Sequence, residues 1–97
     1  MPNGLLEFEW DLKKAASNLR KHRISFREAA MVFRDVLART YDDSAHSHGE
    51  QRCVTIGMSD KGRVLVVAHV TRGERVRIIS ARKATLHERK TYEEESE

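Results

Sequence analysis

Hydrophobic positions along this chain follow two different rhythms, and the change between them divides it into elements. In residues 5–10 apolar and aromatic side chains alternate with glutamates, which predicts a short strand. Asp11 is placed to cap a helix in which Leu12, Ala15, Ala16 and Leu19 fall at i, i+3, i+4 and i+7, a narrow apolar stripe. The last turn of that helix carries Arg20, Lys21 and His22, which suit the negative end of the helix dipole. Ser25 and Glu28 then form a capping-box pattern, with Ile24 placed to staple against Ala29. Phe26, Ala29, Ala30 and Phe33 repeat the same apolar stripe in a second helix.

From there to Arg82 the period is two. Residues 36–41 are a short strand candidate, and 42–49 are a polar loop without a hydrophobic anchor. Residues 50–58 alternate, with Glu50, Arg52, Val54, Ile56 and Met58 on one face and Gln51, Cys53, Thr55 and Gly57 on the other. A turn at 59–62 leads to residues 63–71, nearly continuous in aliphatics, as a central strand covered on both faces should be. A tight turn at 72–74 leads to the last strand, 75–82, and turns this short imply an antiparallel meander. Thr85 and Glu88 form another capping box, opening a helix to about Glu94. The expected fold is α+β, with two N-terminal helices and one C-terminal helix packed on one antiparallel sheet.

At 97 residues without internal repeats, low-complexity stretches or a linker, the natural reading is one domain, with a core over about 7–93 and an acidic tail over 93–97. The tail reads as a solvated, frayed terminus; the sharper alternative is that it competes with nucleic acid for the basic helix. The longest apolar stretch, 64–70, is interrupted by His69 and is far too short to span a bilayer. Residues 1–4 lack the basic start and long apolar run of a signal peptide. The single cysteine, Cys53, excludes an internal disulfide framework and suits a reducing cytosol, so a cytoplasmic location is expected.

Charge changes the picture through its distribution. The chain carries a net +3, but residues 72–90 hold seven Lys/Arg against two Glu, a local +5. So much positive charge on one strand and the helix after it points to a polyanionic partner. Arg72, Arg75, Lys83, Arg89 and Lys90 are the candidate RNA-binding cations. Glu50, Arg52, His69, Arg77, Ser80 and Arg82 are polar positions in otherwise apolar strands, and fixed guanidinium forks suit phosphate. Arg75 and Arg77 share a strand face, and Arg82 falls on the other unless the strand ends or bulges first.

RNA cleavage without a metal needs a base for the 2′-OH, cations for the charged phosphorane and an acid for the leaving 5′-oxygen. Glu50 or His69 can serve as base or acid, and Arg77, Arg52 and Arg82 can stabilise phosphate. Each has a bland alternative. Glu50 and Arg52 can be ordinary ion pairs, His69 a satisfied core histidine, and Arg75 an edge charge that blocks strand addition. Phe8, Trp10 and Phe26 lie on apolar stripes and read as core rather than as base-stacking platforms. His46 and His48 with Asp42 and Asp43 fit no standard zinc spacing and read as a solvated loop. No nucleophile motif or glycine-rich phosphate loop is present, and no cofactor is expected.

These residues carry a family resemblance. Phe8-Glu-Trp-Asp11, the run from Lys14 to His22, Ser25-Phe26 with Glu28-Ala29-Ala30 and Phe33, Gly49-Glu50-x-Arg52, Thr55-Ile-Gly57, Gly62-Arg-Val-Leu-Val-Val67 with His69, Arg77-Ile-Ile-Ser-Ala-Arg-Lys-Ala84, Glu88-Arg89 and Tyr92-Glu93 together resemble the BrnT toxins over about residues 7–93. The resemblance implies a RelE-like fold and a metal-independent ribonuclease toxin of a type II toxin–antitoxin pair, which blocks translation by cutting RNA. It implies a BrnA-like antitoxin encoded beside it, a toxin–antitoxin hetero-oligomer, and contact with operator DNA only through that complex. The family's polar positions fall on Glu50, Arg52, His69, Arg77, Ser80 and Arg82. Two residues depart from its pattern. Arg23 follows His22 where Gly is common, so a left-handed residue there would cost about 1 kcal/mol. Cys53 stands where an aromatic is common.

Other readings are a non-catalytic nucleic-acid-binding module and an antitoxin-binding relative that no longer cuts. The last helix argues against a groove-reading repressor, because Glu88 and the terminal acids accompany Arg89 and Lys90.

Overall fold

A computed structural model describes residues 6–95. The order is β1 (Glu7–Glu9), α1 (Leu12–His22), α2 (Phe26–Met31), a 3-10 turn (Val32–Arg34), β2 (Arg39–Asp42), a second 3-10 turn (Ser44–His46), β3 (Arg52–Met58), β4 (Val64–Arg72), β5 (Arg75–Lys83) and α3 (Leu86–Glu95). The strands form one sheet in the order β1-β5-β4-β3-β2. From β2 to β5 it is the expected antiparallel meander, but β1 runs parallel to β5. The sheet is therefore mixed, not wholly antiparallel. Both helices α1 and α2 intervene before the chain re-enters the sheet at its far edge, so no hairpin dictates the direction of β1.

One face of the sheet carries the core. Ile24, Phe26, Ala29 and Val32 pack against Leu65 and Val67 of β4 and Val76, Ile78 and Ala81 of β5, with Phe8, Trp10 and Phe33 around them. The stripe expected for α2 is thus the buried one, and Phe8, Trp10 and Phe26 belong to the core. Trp10 meets Phe26 edge-on at 6.0 Å, and Phe8 meets Phe33 at 5.3 Å. Gly57 is required by close approach: a Cβ there would lie 2.8 Å from Cβ of Ala38 and 2.9 Å from Val32.

Helix α1 corrects the pattern reading. Asp11 caps it as expected, accepting from the N–H groups of Lys13 (2.8 Å) and Lys14 (3.0 Å). The apolar stripe, however, is split: Ala15 packs against the core, but Leu12 is 79% exposed, Leu19 49% and Ala16 is exposed, while Asn18 is buried. β1 covers β5 only from Arg75 to Arg77, which leaves the backbone of Ala81 open on that side. Asn18 closes it, donating from Nδ2 to the carbonyls of Ala81 (2.8 Å) and Ile24 (2.9 Å) and accepting from the Ala81 N–H (3.0 Å). An unpaired buried peptide group costs about 1–3 kcal/mol, comparable with burying one leucine, so edge satisfaction sets the helix rotation. The helix ends at Arg23 in the left-handed region (φ 60°), its N–H bonded to the Leu19 carbonyl.

Several boundaries differ from expectation. Leu5 lies outside the described residues. Val36 is 95% exposed in a turn, where Asp35 Oδ1 accepts from the Leu37 N–H (2.9 Å), so β2 begins at Arg39. Glu50 precedes β3 instead of joining it, and Arg63 precedes β4. The capping box at Ser25 is half-formed: Ser25 accepts from the Glu28 N–H, but the Glu28 carboxylate turns to Ser59 (2.7 Å) and Arg63. The 42–49 loop includes a helical turn at Ser44–His46.

Helix α3 opens with a complete capping box between Thr85 and Glu88. It lies on the other side of the sheet from the core. Glu88 meets Arg82, and Glu95 meets Arg39 and Tyr41, all on the row through Arg39, Ile56, Val66 and Arg82 or next to it. Tyr92 donates to Asp35 at 2.5 Å. The acidic stretch is therefore helical through Glu95 and anchored there, rather than frayed; Glu97 lies outside the described residues.

Candidate active site

The face opposite the core is built in rows by strand register. Arg52 of β3 stands opposite Val70 of β4, Val70 opposite Arg77 of β5, and Arg77 opposite Glu9 of β1. Arg52 and Arg77 are thus two strand spacings apart, about 10 Å between backbones, and their long arms can close over the small Val70 side chain. One step outward, Arg72 pairs with Arg75 and Arg75 with Glu7. One step inward, Val54, Ala68 and Ser80 form a row, and beyond it Ile56, Val66 and Arg82.

Arg82 reaches this face through a β-bulge. Ala68 pairs with Ser80, but His69 pairs with Ile78, so Ile79 is an extra residue on β5. Uninterrupted alternation would send Ser80 and Arg82 to the core side. The extra residue resets the phase and gathers Arg52, Arg77, Ser80 and Arg82 on one face.

His69 is not among them. It points into the core layer, 2% exposed, with Nε2 2.7 Å from Thr55 Oγ1 and its ring edge-on to Phe33 at 4.9 Å. Burial pushes its pKa down to about 4, so it is neutral near pH 7. Its placement is that of the satisfied core histidine. Glu50 sits at the rim, its carboxylate 2.5 Å from Arg72. Lys83 ends β5 on the opposite side from Arg82, while Arg89 and Lys90 are exposed on α3. Arg75 is not an edge charge, because β1 flanks β5.

Each arginine of the face has a carboxylate neighbour: Arg52 with Asp43 (3.6 Å), Arg72 with Glu50, Arg75 with Glu7 (3.5 Å), Arg77 with Glu9 (2.9 Å) and Arg82 with Glu88 (2.8 Å). The Arg82–Glu88 pair is bidentate and holds the Glu88 carboxyl down at about 2. The Arg72–Glu50 and Arg75–Glu7 pairs are exposed, and pairs of that kind are worth about 0–1 kcal/mol, so a phosphate can exchange with those two carboxylates at little cost. On this face Arg52 Nε is buried 3.6 Å from Asp43, too far for a hydrogen bond. Arg77 offers only Nη1 to Glu9, which leaves its Nε–Nη2 edge available.

Glu9 was not singled out by sequence reasoning. The signal was present, in a Glu-x-Glu of β1 matching the Arg-x-Arg of β5, but it becomes readable only once the two strands are known to pair in parallel. Asp43 was assigned to a solvated loop, and His46 does bond to it there at 2.9 Å. Among the described residues no group of three or more His, Cys, Asp or Glu side chains is arranged to hold a metal ion. No helix among them is long and apolar enough to cross a membrane.

Comparison with known proteins agrees with this architecture. No curated protein sequence matches the chain. Among solved structures, the chain is similar to the crystal structure of the Brucella abortus ribonuclease toxin BrnT, with a TM-score of 0.63 and 20% identity, over 84% of this chain and 99% of that one. Residues 10–88 match the family described as ribonuclease toxin, BrnT, of type II toxin-antitoxin system. That match spans most of both helical and strand layers, and the chain belongs to the BrnT family of ribonuclease toxins.

Proposed function

We propose that this chain is a metal-independent endoribonuclease with a RelE-like fold, which cleaves RNA on the arginine face and so inhibits translation in the cytoplasm. The observation that carries the reading is the bulge at Ile79, which brings Arg77, Ser80 and Arg82 onto the face of Arg52. The same rephasing turns Ala81 into the core, so one bulge serves both faces of the sheet. A BrnA-like antitoxin encoded beside it neutralises the chain in a hetero-oligomer, and operator DNA is met only through that complex.

Arg52 and Arg77 hold the scissile phosphate across Val70 and stabilise the extra charge of the phosphorane. The rim carboxylate Glu50 removes the 2′-OH proton as the 2′-oxygen attacks phosphorus. The P–O5′ bond then breaks, and the 5′-oxygen takes a proton from water, leaving a 2′,3′-cyclic phosphate. Ser80 donates its hydroxyl to a phosphate oxygen. Arg82, held by Glu88, contributes field at the far end of the face, while Arg72 and Arg75 bind flanking phosphates. Lys83, Arg89 and Lys90 add longer-range attraction only. His69 supports the sheet from beneath.

The test is induced expression of the chain alone beside Arg77→Ala, with growth and total RNA followed over time. Growth arrest and RNA breakdown in the wild type only is the expected result. Arrest by a folded Arg77→Ala protein would overturn the assignment of Arg77. A second reading, a relative that binds RNA or antitoxin without cutting, is favoured by the burial of His69, the candidate acid–base group whose ordinary pKa lies nearest neutrality. Normal growth with intact RNA and folded wild-type protein would select it.

A further inference from the structure

Helix α1 turns Asn18 and Ala15 to the core and the rest of its apolar stripe to water. Leu12, Ala16 and Leu19, at i, i+4 and i+7, are all exposed, and neither leucine belongs to the core cluster. Helices normally bury such a stripe. The rotation is imposed by Asn18 on β5, so the stripe has no place within the chain's own fold. Charge around it is mostly positive, with Asp11 at the N-cap the exception. Lys13, Lys14, Arg20 and Lys21 lie on the helix and Arg23 ends it, while α1 itself contains no Asp or Glu. An open groove lined by Leu19, Arg20 and Arg23 continues the stripe at its C-terminal end.

We propose that the Leu12–Ala16–Leu19 stripe is a docking surface for an acidic amphipathic helix of the antitoxin. Leucines at helical spacing offer anchors for a helix laid alongside, and the flanking cations select acidic neighbours on it. RNA fits the cations but has no use for the leucines. A second copy of this chain fits poorly, because its acidic helix α3 spends its inward residues, Glu88, Tyr92 and Glu95, on its own sheet. The surface lies on the layer opposite the arginine face, so an antitoxin docked there need not contact the candidate catalytic residues.

The inference rests on the toxin–antitoxin reading, and the experiment separates the two. The affinity of the neighbouring antitoxin would be measured for wild type, for Leu12→Gln/Leu19→Gln, and for Lys13→Glu/Arg20→Glu, with folding checked by circular dichroism and RNA cleavage measured on each. The leucine variant should bind the antitoxin about tenfold or more weaker while folding and cutting RNA like the wild type. The charge variant should also bind more weakly, with a reduced salt dependence. Unchanged antitoxin affinity in a folded leucine variant would overturn this surface and leave the function reading standing. A wild-type chain that binds no antitoxin would overturn both. Concentration-dependent dimerisation lost in the leucine variant, without any loss of antitoxin affinity, would assign the stripe to self-association instead.

Discussion

The two faces of this sheet carry polar residues for opposite reasons. On the core face, His69 and Thr55 are buried, bonded to each other and cut off from water. On the other face, Arg52, Arg77 and Arg82 are held by carboxylates at a boundary that solvent reaches. A polar side chain in an apolar strand is therefore no sign of chemistry until its face is known. Here one extra residue, Ile79, decides the face of Ser80 and Arg82.

Substitutions on the two faces should fail differently. Arg77→Ala should lower RNA cleavage by about 100-fold or more while leaving the fold intact, as expected for loss of a donor to a charged transition state. His69→Ala should do the reverse. It should cost about 2–4 kcal/mol of stability from the cavity and the lost hydrogen bond, with the folded fraction cutting at the wild-type rate. Denaturant titration beside a cleavage assay separates these outcomes; a stable but inactive His69→Ala would merge the two faces.

Acid should reveal the core face next. The folded His69 titrates at about 4 and an unfolded histidine near 6.5. Above pH 6.5 the ring is neutral in both states. As pH falls from 6.5 toward 4 the unfolded chain binds the extra proton, removing up to about 3 kcal/mol of stability. His69→Asn should flatten that slope. Glu88 acts in a lower window: its depressed carboxyl stabilises the fold above the usual carboxylate range and loses that contribution as pH falls toward about 2. Unfolding measured from pH 7 to about pH 5.5, above the range where the depressed carboxyls of Glu28, Asp35 and Glu88 lose their contribution, therefore tests His69, and an equal slope in His69→Asn would contradict its assignment.

A smaller effect should mark Glu9. If its role is to present the Nε–Nη2 edge of Arg77, Glu9→Gln keeps a weaker bond and should lower kcat by about tenfold or less, with Glu9→Ala lower still. An effect on KM alone would make Glu9 a competitor of phosphate instead. The smallest change concerns the turn after α1. Arg23 holds φ 60° without being glycine, so Arg23→Gly should raise stability by about 1 kcal/mol with activity unchanged.

Much of the fold was legible from spacing. The stripe of α2, the caps at Asp11 and Thr85 and the continuous aliphatics of the central strand could each be reasoned from local chemistry, while the left-handed residue at Arg23 was legible only through the glycine common there in the BrnT toxins. What escaped was non-local. The rotation of α1 depends on an open peptide edge at Ala81, sixty-three positions from Asn18, and hydropathy contains no term for it. The parallel pairing of β1 with β5 hid the match of Glu7 and Glu9 to Arg75 and Arg77. The bulge carries no composition signal, so the common face of Arg52, Arg77 and Arg82 could be stated from sequence only as a condition.

The central claim is that RNA chemistry belongs to the arginine face and not to the buried histidine. The most direct measurement is cleavage of a defined RNA by purified, folded wild type, Arg77→Ala and His69→Ala, each at a temperature where circular dichroism shows it native. The account predicts cutting by wild type and His69→Ala and none by Arg77→Ala. Cutting by Arg77→Ala with loss in native His69→Ala would contradict it.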